Sequence, residues 1–311
     1  MSKILVTGAN GLLGSEIVKL NSNSIGVNSK DCDLTKNSAF DYLKDKILKN
    51  NIEIVIHCAA RVGGVKANTD YVCDFFNENI LMNLNVMNAC KEANVKLVSI
   101  LSTCIYPDKD YVKYPLTEDQ LHVGPPHFSN FGYAYAKRML DVQTKAYRQQ
   151  YNCNFITVIP NNLYGIEDNY DLELGHVIPA LIRRFYEAKI SRSKSVIVWG
   201  SGRPIREFTY AKDAAKIISW LARNYNEESP VNIGNQEFIS IKELATLISE
   251  EIKYEGEIIF DSSKPEGQYE KSSSNKKLFS MGWNDKYTPL SVGLKETIDH
   301  FIVKYPKIRG I

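Results

Sequence analysis

Residues 3–20 constrain the fold more than any other stretch. Lys3-Ile4-Leu5-Val6-Thr7 is a short β-rich run that ends in Gly8-Ala9-Asn10-Gly11-Leu12-Leu13-Gly14, and Leu12 to Leu20 reads as a helix. In a strand, glycine turn and helix of this kind, the helix N-terminus offers unpaired backbone N–H groups and the positive end of the helix dipole. A pyrophosphate suits such a turn: the N–H groups favour its charge, and glycine lets it approach closely. Gly8, Asn10, Gly11, Leu12, Leu13 and Gly14 are therefore assigned to a dinucleotide site. Without a ligand the same glycines would make only a β-turn.

The following segments alternate. Ser24 to Asn28 and Ile52 to His57 read as strands, and Ala59-Ala60 follows where a strand end should approach a cofactor. Asn79 to Ala93 has helical spacing, with Ile80, Leu84, Met87 and Cys90 recurring at three and four. Lys96 to Leu101 is a strand, Tyr133 to Tyr151 a long helix and Phe155 to Ile159 a strand. Alternation of this kind predicts an α/β fold, a Rossmann-type doubly wound parallel sheet. After Gly165 the pattern loosens. Val177 to Ala188, 213–225 and 241–253 read as helices; Val196 to Trp199, Arg206 to Tyr210 and 255–260 read as strands. Residues 1–165 are expected to form the cofactor-binding domain, with later segments returning to its sheet. Residues 166–311 are expected to form mainly a smaller C-terminal α/β substrate lobe. Ser272-Ser273-Ser274-Asn275 reads as a loop or helix start.

A chain of 311 residues can bury a large core. Its net charge of +2, without long runs of one sign, favours neither nucleic acid nor an anionic membrane. No apolar stretch is long enough to span a bilayer, and a strand beginning at residue 4 leaves no room for a signal peptide. The six cysteines are scattered with no C-x-x-C pair, which suits reduced thiols in a cytoplasm better than disulfides or a metal site.

Chemistry enters at Ser102-Thr103-Cys104, just after a strand, and at Tyr133 and Lys137. Residues at i and i+4 share a helix face. A nearby ammonium favours a phenolate and is expected to lower the Tyr133 pKa from its usual value of about 10. Tyr133 can then pass a proton to a carbonyl oxygen as hydride reaches its carbon, with Ser102 bonding the same oxygen. Lys137 can also hold the nicotinamide ribose. A Tyr-x-x-x-Lys spacing by itself is equally that of an ordinary amphipathic helix. Asn28 and Ser29 are neutral where NAD enzymes usually carry a carboxylate, and Lys30 can pair with a 2′-phosphate, so NADP is expected rather than NAD. Lys30 is equally readable as a solvated lysine, and Asp33 as a neighbour of the adenine.

These residues resemble the extended short-chain dehydrogenase/reductase superfamily, and within it the GDP-L-fucose synthase family. The matching stretches are Ala59 to Gly64, Ser102 to Pro107, Tyr133 to Lys137, Asn162 to Gly165, His176 to Arg184, Val198 to Gly202, Arg206 to Phe208 and Ser263 to Gly267. The resemblance implies a GDP-linked 4-keto-6-deoxy sugar as substrate, with Cys104 and His176 as the acid/base pair that epimerises C3 and C5. It implies reduction of C4 by NADPH with Tyr133 as proton donor. Asn162, Arg184, Trp199, Arg206 and Lys271 are implied to hold the substrate. Helix periodicity alone would choose Arg183 over Arg184. A homodimer through helices near 80–93 and 133–150 is also implied.

The chain departs from the family pattern at Asn10, where a basic residue is frequent, at Phe128 to Gly132, at Gly175 and at Tyr269, Glu270 and Ser272. These positions cluster where sugar and nucleotide sit. They keep open a dedicated C4 reductase of a GDP-4-keto heptose with little or no epimerisation. A non-catalytic cofactor-binding regulator is the alternative of another class, and the intact Ser102, Tyr133 and Lys137 argue against it. Thr103-Cys104 stands where dehydratases of the superfamily place a carboxylate pair, which counts against dehydration.

Overall fold

In the computed structural model, which describes residues 2–264 and 268–311, the glycine turn joins β1 (Ile4–Thr7) to α1 (Leu12–Leu20). The chain continues through β2 (Ser24–Val27), α2 (Ser38–Lys49), β3 (Ile54–His57), α3 (Val65–Asp70), α4 (Val72–Glu92), β4 (Lys96–Ile100), α5 (Phe131–Tyr151) and β5 (Phe155–Pro160). Then come β6 (Asn162–Tyr164), α6 (Val177–Ile190), β7 (Ser195–Trp199), β8 (Ile205–Tyr210), α7 (Ala211–Asn224) and β9 (Val231–Ile233). The last elements are β10 (Phe238–Ser240), α8 (Ile241–Ile252), β11 (Glu257–Asp261), α9 (Lys276–Ser280) and α10 (Leu290–Lys304). Of the Ser263 to Gly267 motif, residues 265–267 lie outside the described residues.

Six strands form a parallel sheet in the order β2-β1-β3-β4-β5-β9. The order reverses between β1 and β3, where an open sheet of this kind splits into a crevice. Helices cover both faces, which explains why Ile4-Leu5-Val6 and Ile54-Val55-Ile56 read as continuous apolar runs. On one face α1 and α7 pack through Leu13, Ile17, Ile217, Ile218 and Leu221; on the other Leu43, Val86, Met87 and Leu140 come from α2, α4 and α5. A third apolar cluster lies under α6, α8 and α10, beside the sheet β10-β8-β6 and the pair β11-β7.

Helix α4 differs from its expected stripe. Met87 and Cys90 are buried, but Ile80 and Leu84 are only half-buried, and the polar Asn79 and Asn83 are buried instead. Asn79 bonds Arg61 through both ends of its amide, and Asn83 Oδ1 pairs with His57, which offsets part of the cost of burying them. The serine patch is a buried loop that leads into the start of α9, whose N-cap is Asn275: Leu116 N donates to Ser272 O at 2.8 Å and Ser274 N to Leu116 O at 2.9 Å.

Candidate active site

The carboxyl ends of β1, β3, β4 and β5 open onto one cleft of about 980 Å³. Its first part is the glycine turn. No side chain caps α1, so its opening N–H groups are left for a ligand. Gly8 has φ +68, and a Cβ there would sit 2.8 Å from Ala59 N, so the turn lies flush against Ala59-Ala60. This cradle of bare backbone fits a dinucleotide pyrophosphate, and Gly8, Asn10, Gly11, Leu12, Leu13, Gly14, Ala59 and Ala60 all line it.

A buried chain of hydrogen bonds sets the Ala59 end. Ala59 N donates to Thr7 Oγ1 at 3.3 Å, Thr7 Oγ1 lies 2.7 Å from His57 Nδ1, and His57 Nε2 lies 3.2 Å from Asn83 Oδ1. Burial first, then the Lys137 ammonium, hold the His57 pKa down to about 3, against the opposing Asn83 bond. The unfolded chain binds this proton near the ordinary value of 6.5, whereas the folded chain refuses it until about pH 3. Stability is therefore lost as pH falls from 6.5 toward 3, by up to about 1.4 kcal/mol per pH unit from this one ring. Urea midpoints measured at pH 7 and pH 5 should fall less in His57→Gln than in the parent; equal slopes would exclude the assignment.

Past the end of β2, Asn28, Ser29 and Asp33 line the cleft, and the Asp33 carboxylate accepts from Thr35 N at 3.0 Å and Thr35 Oγ1 at 2.7 Å. Those bonds, the side-chain one foremost, hold its pKa below the usual carboxylate value. The structure does not bring Lys30 to the cleft: it is exposed at the tip of a turn closed by Asp31 N and Cys32 N on Asn28 O. The Asp31 carboxylate is turned onto Asn28 N at 2.9 Å. Neutral Asn28 and Ser29 thus face the cleft without a carboxylate between them.

Ser102, Cys104, Tyr133 and Lys137 meet at the middle of the cleft. Ser102 caps the turn Thr103–Ile105, its Oγ accepting from Cys104 N at 3.5 Å. The Lys137 ammonium donates to Ile100 O at 2.8 Å and lies 5.9 Å from the Tyr133 ring centroid. The helix brings tyrosine and lysine to one face as expected, but the electrostatics run opposite to the expectation. Burial, and then Cys104, raise the Tyr133 pKa well above its ordinary value. Burial lowers that of Lys137 to about 8. Desolvation, not the ammonium, sets the direction here. A phenol kept protonated suits a proton donor. Burial also raises the Cys104 pKa, against Lys271, Ser102 and Lys137.

Beyond them His176 stands at the N-cap of α6. Asn162, Arg184, Trp199, Arg206 and Lys271 continue the wall. Asn162 Nδ2 donates to Glu207 O at 2.9 Å. The Arg184 guanidinium lies 5.4 Å from the Trp199 ring, while Arg183 turns away to Glu187, Tyr170 O and Gly310 O. Arg206 donates to Gln268 O at 2.5 Å and Tyr269 O at 3.2 Å, tying the segment that carries Lys271. Burial lowers the Lys271 pKa to about 8.

Sequence reasoning missed several lining residues. Arg61 is one: its backbone N–H donates to Asn79 Oδ1 at 3.1 Å while its guanidinium pairs with Glu78 and with Asp74. Asp168 and Arg309 line the His176 end. Neither belongs to a periodic segment or a motif, and Arg309 reaches the cleft only through the tertiary fold.

Residues 4–234 match the NAD dependent epimerase/dehydratase family. A GDP-L-fucose synthase of Dictyostelium discoideum is 46% identical over 98% of this chain and 97% of its own. The chain belongs to that family, in its GDP-L-fucose synthase branch. Among solved members, a GDP-L-fucose synthetase from Naegleria fowleri bound to NADP aligns with TM-score 0.88 and 40% identity over 99% of this chain and 95% of its own. A GDP-6-OMe-4-keto-L-xylo-heptose reductase from C. jejuni aligns with TM-score 0.89 and 26% identity over 97% and 98%. Similarity along the whole chain covers both the glycine turn and the far wall of the cleft.

Proposed function

We propose that this protein is an NADPH-dependent oxidoreductase that reduces C4 of a GDP-linked 4-keto-6-deoxy sugar after epimerising C3 and C5, as a GDP-L-fucose synthase does. One observation carries the reading. A single cleft runs from the glycine turn past Ser102, Tyr133 and Lys137 to the cationic wall of Arg184, Arg206 and Lys271, with Cys104 and His176 on the way. In this reading the six-stranded sheet with residues 1–165 carries the cofactor, and residues 166–311 carry most of the nucleotide sugar.

Hydride for C4 would come from NADPH when it is bound. The chain's own groups do the rest. A C4 ketone acidifies the hydrogens at C3 and C5, because the charge left by proton loss spreads onto the ketone oxygen. Ser102 and Tyr133 hold that oxygen by hydrogen bonds, and their bonds strengthen as it becomes negative. Cys104 and His176 take and return protons at the ring carbons. Tyr133 later gives its proton to the oxygen at C4. Arg184, Arg206 and Lys271 pair with the diphosphate, and Trp199 packs against the base or ribose.

A second reading, reduction of a GDP-4-keto heptose with little epimerisation, is supported by the likeness to the heptose reductase. Of the departing stretch Phe128 to Gly132, only Ser129 and Asn130 line the cleft, while Phe128 and Phe131 are exposed outside it. Among the described residues no helix is long and apolar enough to cross a membrane. The exposed Phe76 and Leu81 of α4 and Val142 of α5 suit a homodimer through those two helices, and the free cysteines suit the cytoplasm.

Supplied with GDP-4-keto-6-deoxymannose in D2O, the enzyme is expected to consume NADPH and place deuterium at C3 and C5, read by NMR. NADPH consumption without label at either carbon would exclude epimerisation and favour the heptose reading. Tight NADPH binding with no turnover on any GDP-4-keto sugar would make the protein a regulator.

A further inference from the structure

His176 has a buried carboxylate behind it. Asp168, 3% exposed, lies in the segment between β6 and α6, and its Oδ1 is 3.6 Å from His176 Nδ1. That is longer than a hydrogen bond. Yet His176 Nδ1 and Asp168 Oδ2 are both buried with no hydrogen-bond partner. An unpaired buried donor and a buried carboxylate with one unpaired oxygen are each costly, and the two groups are complementary neighbours. A side-chain shift of less than an ångström, about 0.7 Å, brings Nδ1 within bonding distance of Oδ1, the facing oxygen.

The position of the carboxylate is built into the fold. Asp168 Oδ1 accepts from Asn169 N at 2.8 Å. The same segment is closed by Asp171 Oδ1, which accepts from Glu173 N at 2.9 Å and Leu174 N at 2.7 Å. It is braced on one side by Gly64 N on Leu174 O at 2.9 Å, and on the other by Tyr170 N on Arg309 O at 3.0 Å. Arg183 Nη1 then clasps Tyr170 O at 3.2 Å and Gly310 O at 2.8 Å.

We propose that Asp168 is the positioning residue of His176: its carboxylate holds the Nδ1 proton and leaves Nε2 to face the sugar. The inference rests on the reading of His176 as one member of the epimerising pair. Nε2–H then protonates the ring carbon; the N–H bond breaks, the enolate electron pair forms the C–H bond, and the ketone is restored. The imidazole is left neutral and regains its proton from water, while Asp168 stays ionised throughout. The charged groups facing the ring agree with this role. Burial alone lowers the His176 pKa and Arg309 lowers it further, but Asp168 outweighs both and the pKa is raised. The phenol of Tyr170, pushed up by burial and by Asp168, stays neutral.

The test uses the full chain. Deuterium uptake at C3 and C5 of GDP-4-keto-6-deoxymannose is followed by NMR without NADPH across pH, and the histidines are titrated by NMR of 13C-labelled protein, with His176→Gln assigning the signal. Asp168→Asn should slow uptake at least about tenfold, shift its pH profile toward acid and lower the His176 pKa, with Asp168→Glu restoring part of each. Uptake lost in His176→Gln but unchanged in rate and pH profile in Asp168→Asn would overturn this inference alone. Full uptake in His176→Gln would instead overturn the role of the histidine beneath it. Should Asp168→Asn fail to fold, the parent titration decides: a His176 pKa above the ordinary 6.5 supports the pairing, and one at or below it overturns it.

Discussion

Tyr133→Phe should slow NADPH-dependent reduction by about two to four orders of magnitude while leaving NADPH affinity nearly unchanged. The substitution removes one oxygen from a ring already held at its edge by Phe75, with centroids 6.3 Å apart, so the cleft keeps its shape. What it removes is the donor for the oxygen at C4. Because burial keeps this phenol protonated, the group is ready to give a proton without first having to gain one. Steady-state kcat with a pre-epimerised substrate, alongside a fluorescence titration of NADPH, separates the two effects. Turnover near the parent rate would remove Tyr133 from its role, and a matching fall in affinity would make it a binding residue.

Gly14→Ala should weaken NADPH binding by about a hundredfold, roughly 2.7 kcal/mol, and lower stability by about 1–3 kcal/mol. A Cβ at residue 14 would lie 2.2 Å from Gly8 O and 2.8 Å from Gly8 C. Both are backbone atoms of the same turn and cannot swing aside as a side chain does. The turn must open, carrying Gly8 away from Ala59 and the first N–H groups of α1 out of alignment. NADPH titration together with urea unfolding reads both consequences. Parent-like affinity in a folded Gly14→Ala protein would mean that the cofactor does not rest on this turn.

Much of this was legible in the sequence wherever local physics dominates. Strands buried on both faces announce themselves as apolar runs, so β1, β3 and β5 were found within a residue or two of their ends. The glycine turn and the Tyr133–Lys137 face follow from backbone sterics and helix pitch. The helices α2 and α10 were not singled out, although Ala39, Leu43 and Ile47 recur at helical spacing and are buried. The charge state of Tyr133 was not legible, because burial is set by Phe75 and by surrounding segments remote in the chain. Arg184 was found by family likeness where periodicity preferred Arg183, whose clasp on Gly310 has no local signal. Asn79 and Asn83 look like solvent-facing positions until the loop at Arg61 and the ring of His57 supply their partners.

The return of β9 to the far side of β5 makes the enzyme hard to treat as modular. Val158, Ile159 and Pro160 are paired with Val231, Asn232 and Ile233, and α7 seals the sheet beside them with Ile217, Ile218 and Leu221. A fragment cut after Gly165 would leave that strand edge unpaired and that apolar face bare, both of which invite aggregation. Chimaeras between relatives must therefore transplant residues 211–233 together with the glycine turn, so that nucleotide choice and sugar choice cannot be shuffled as two independent cassettes.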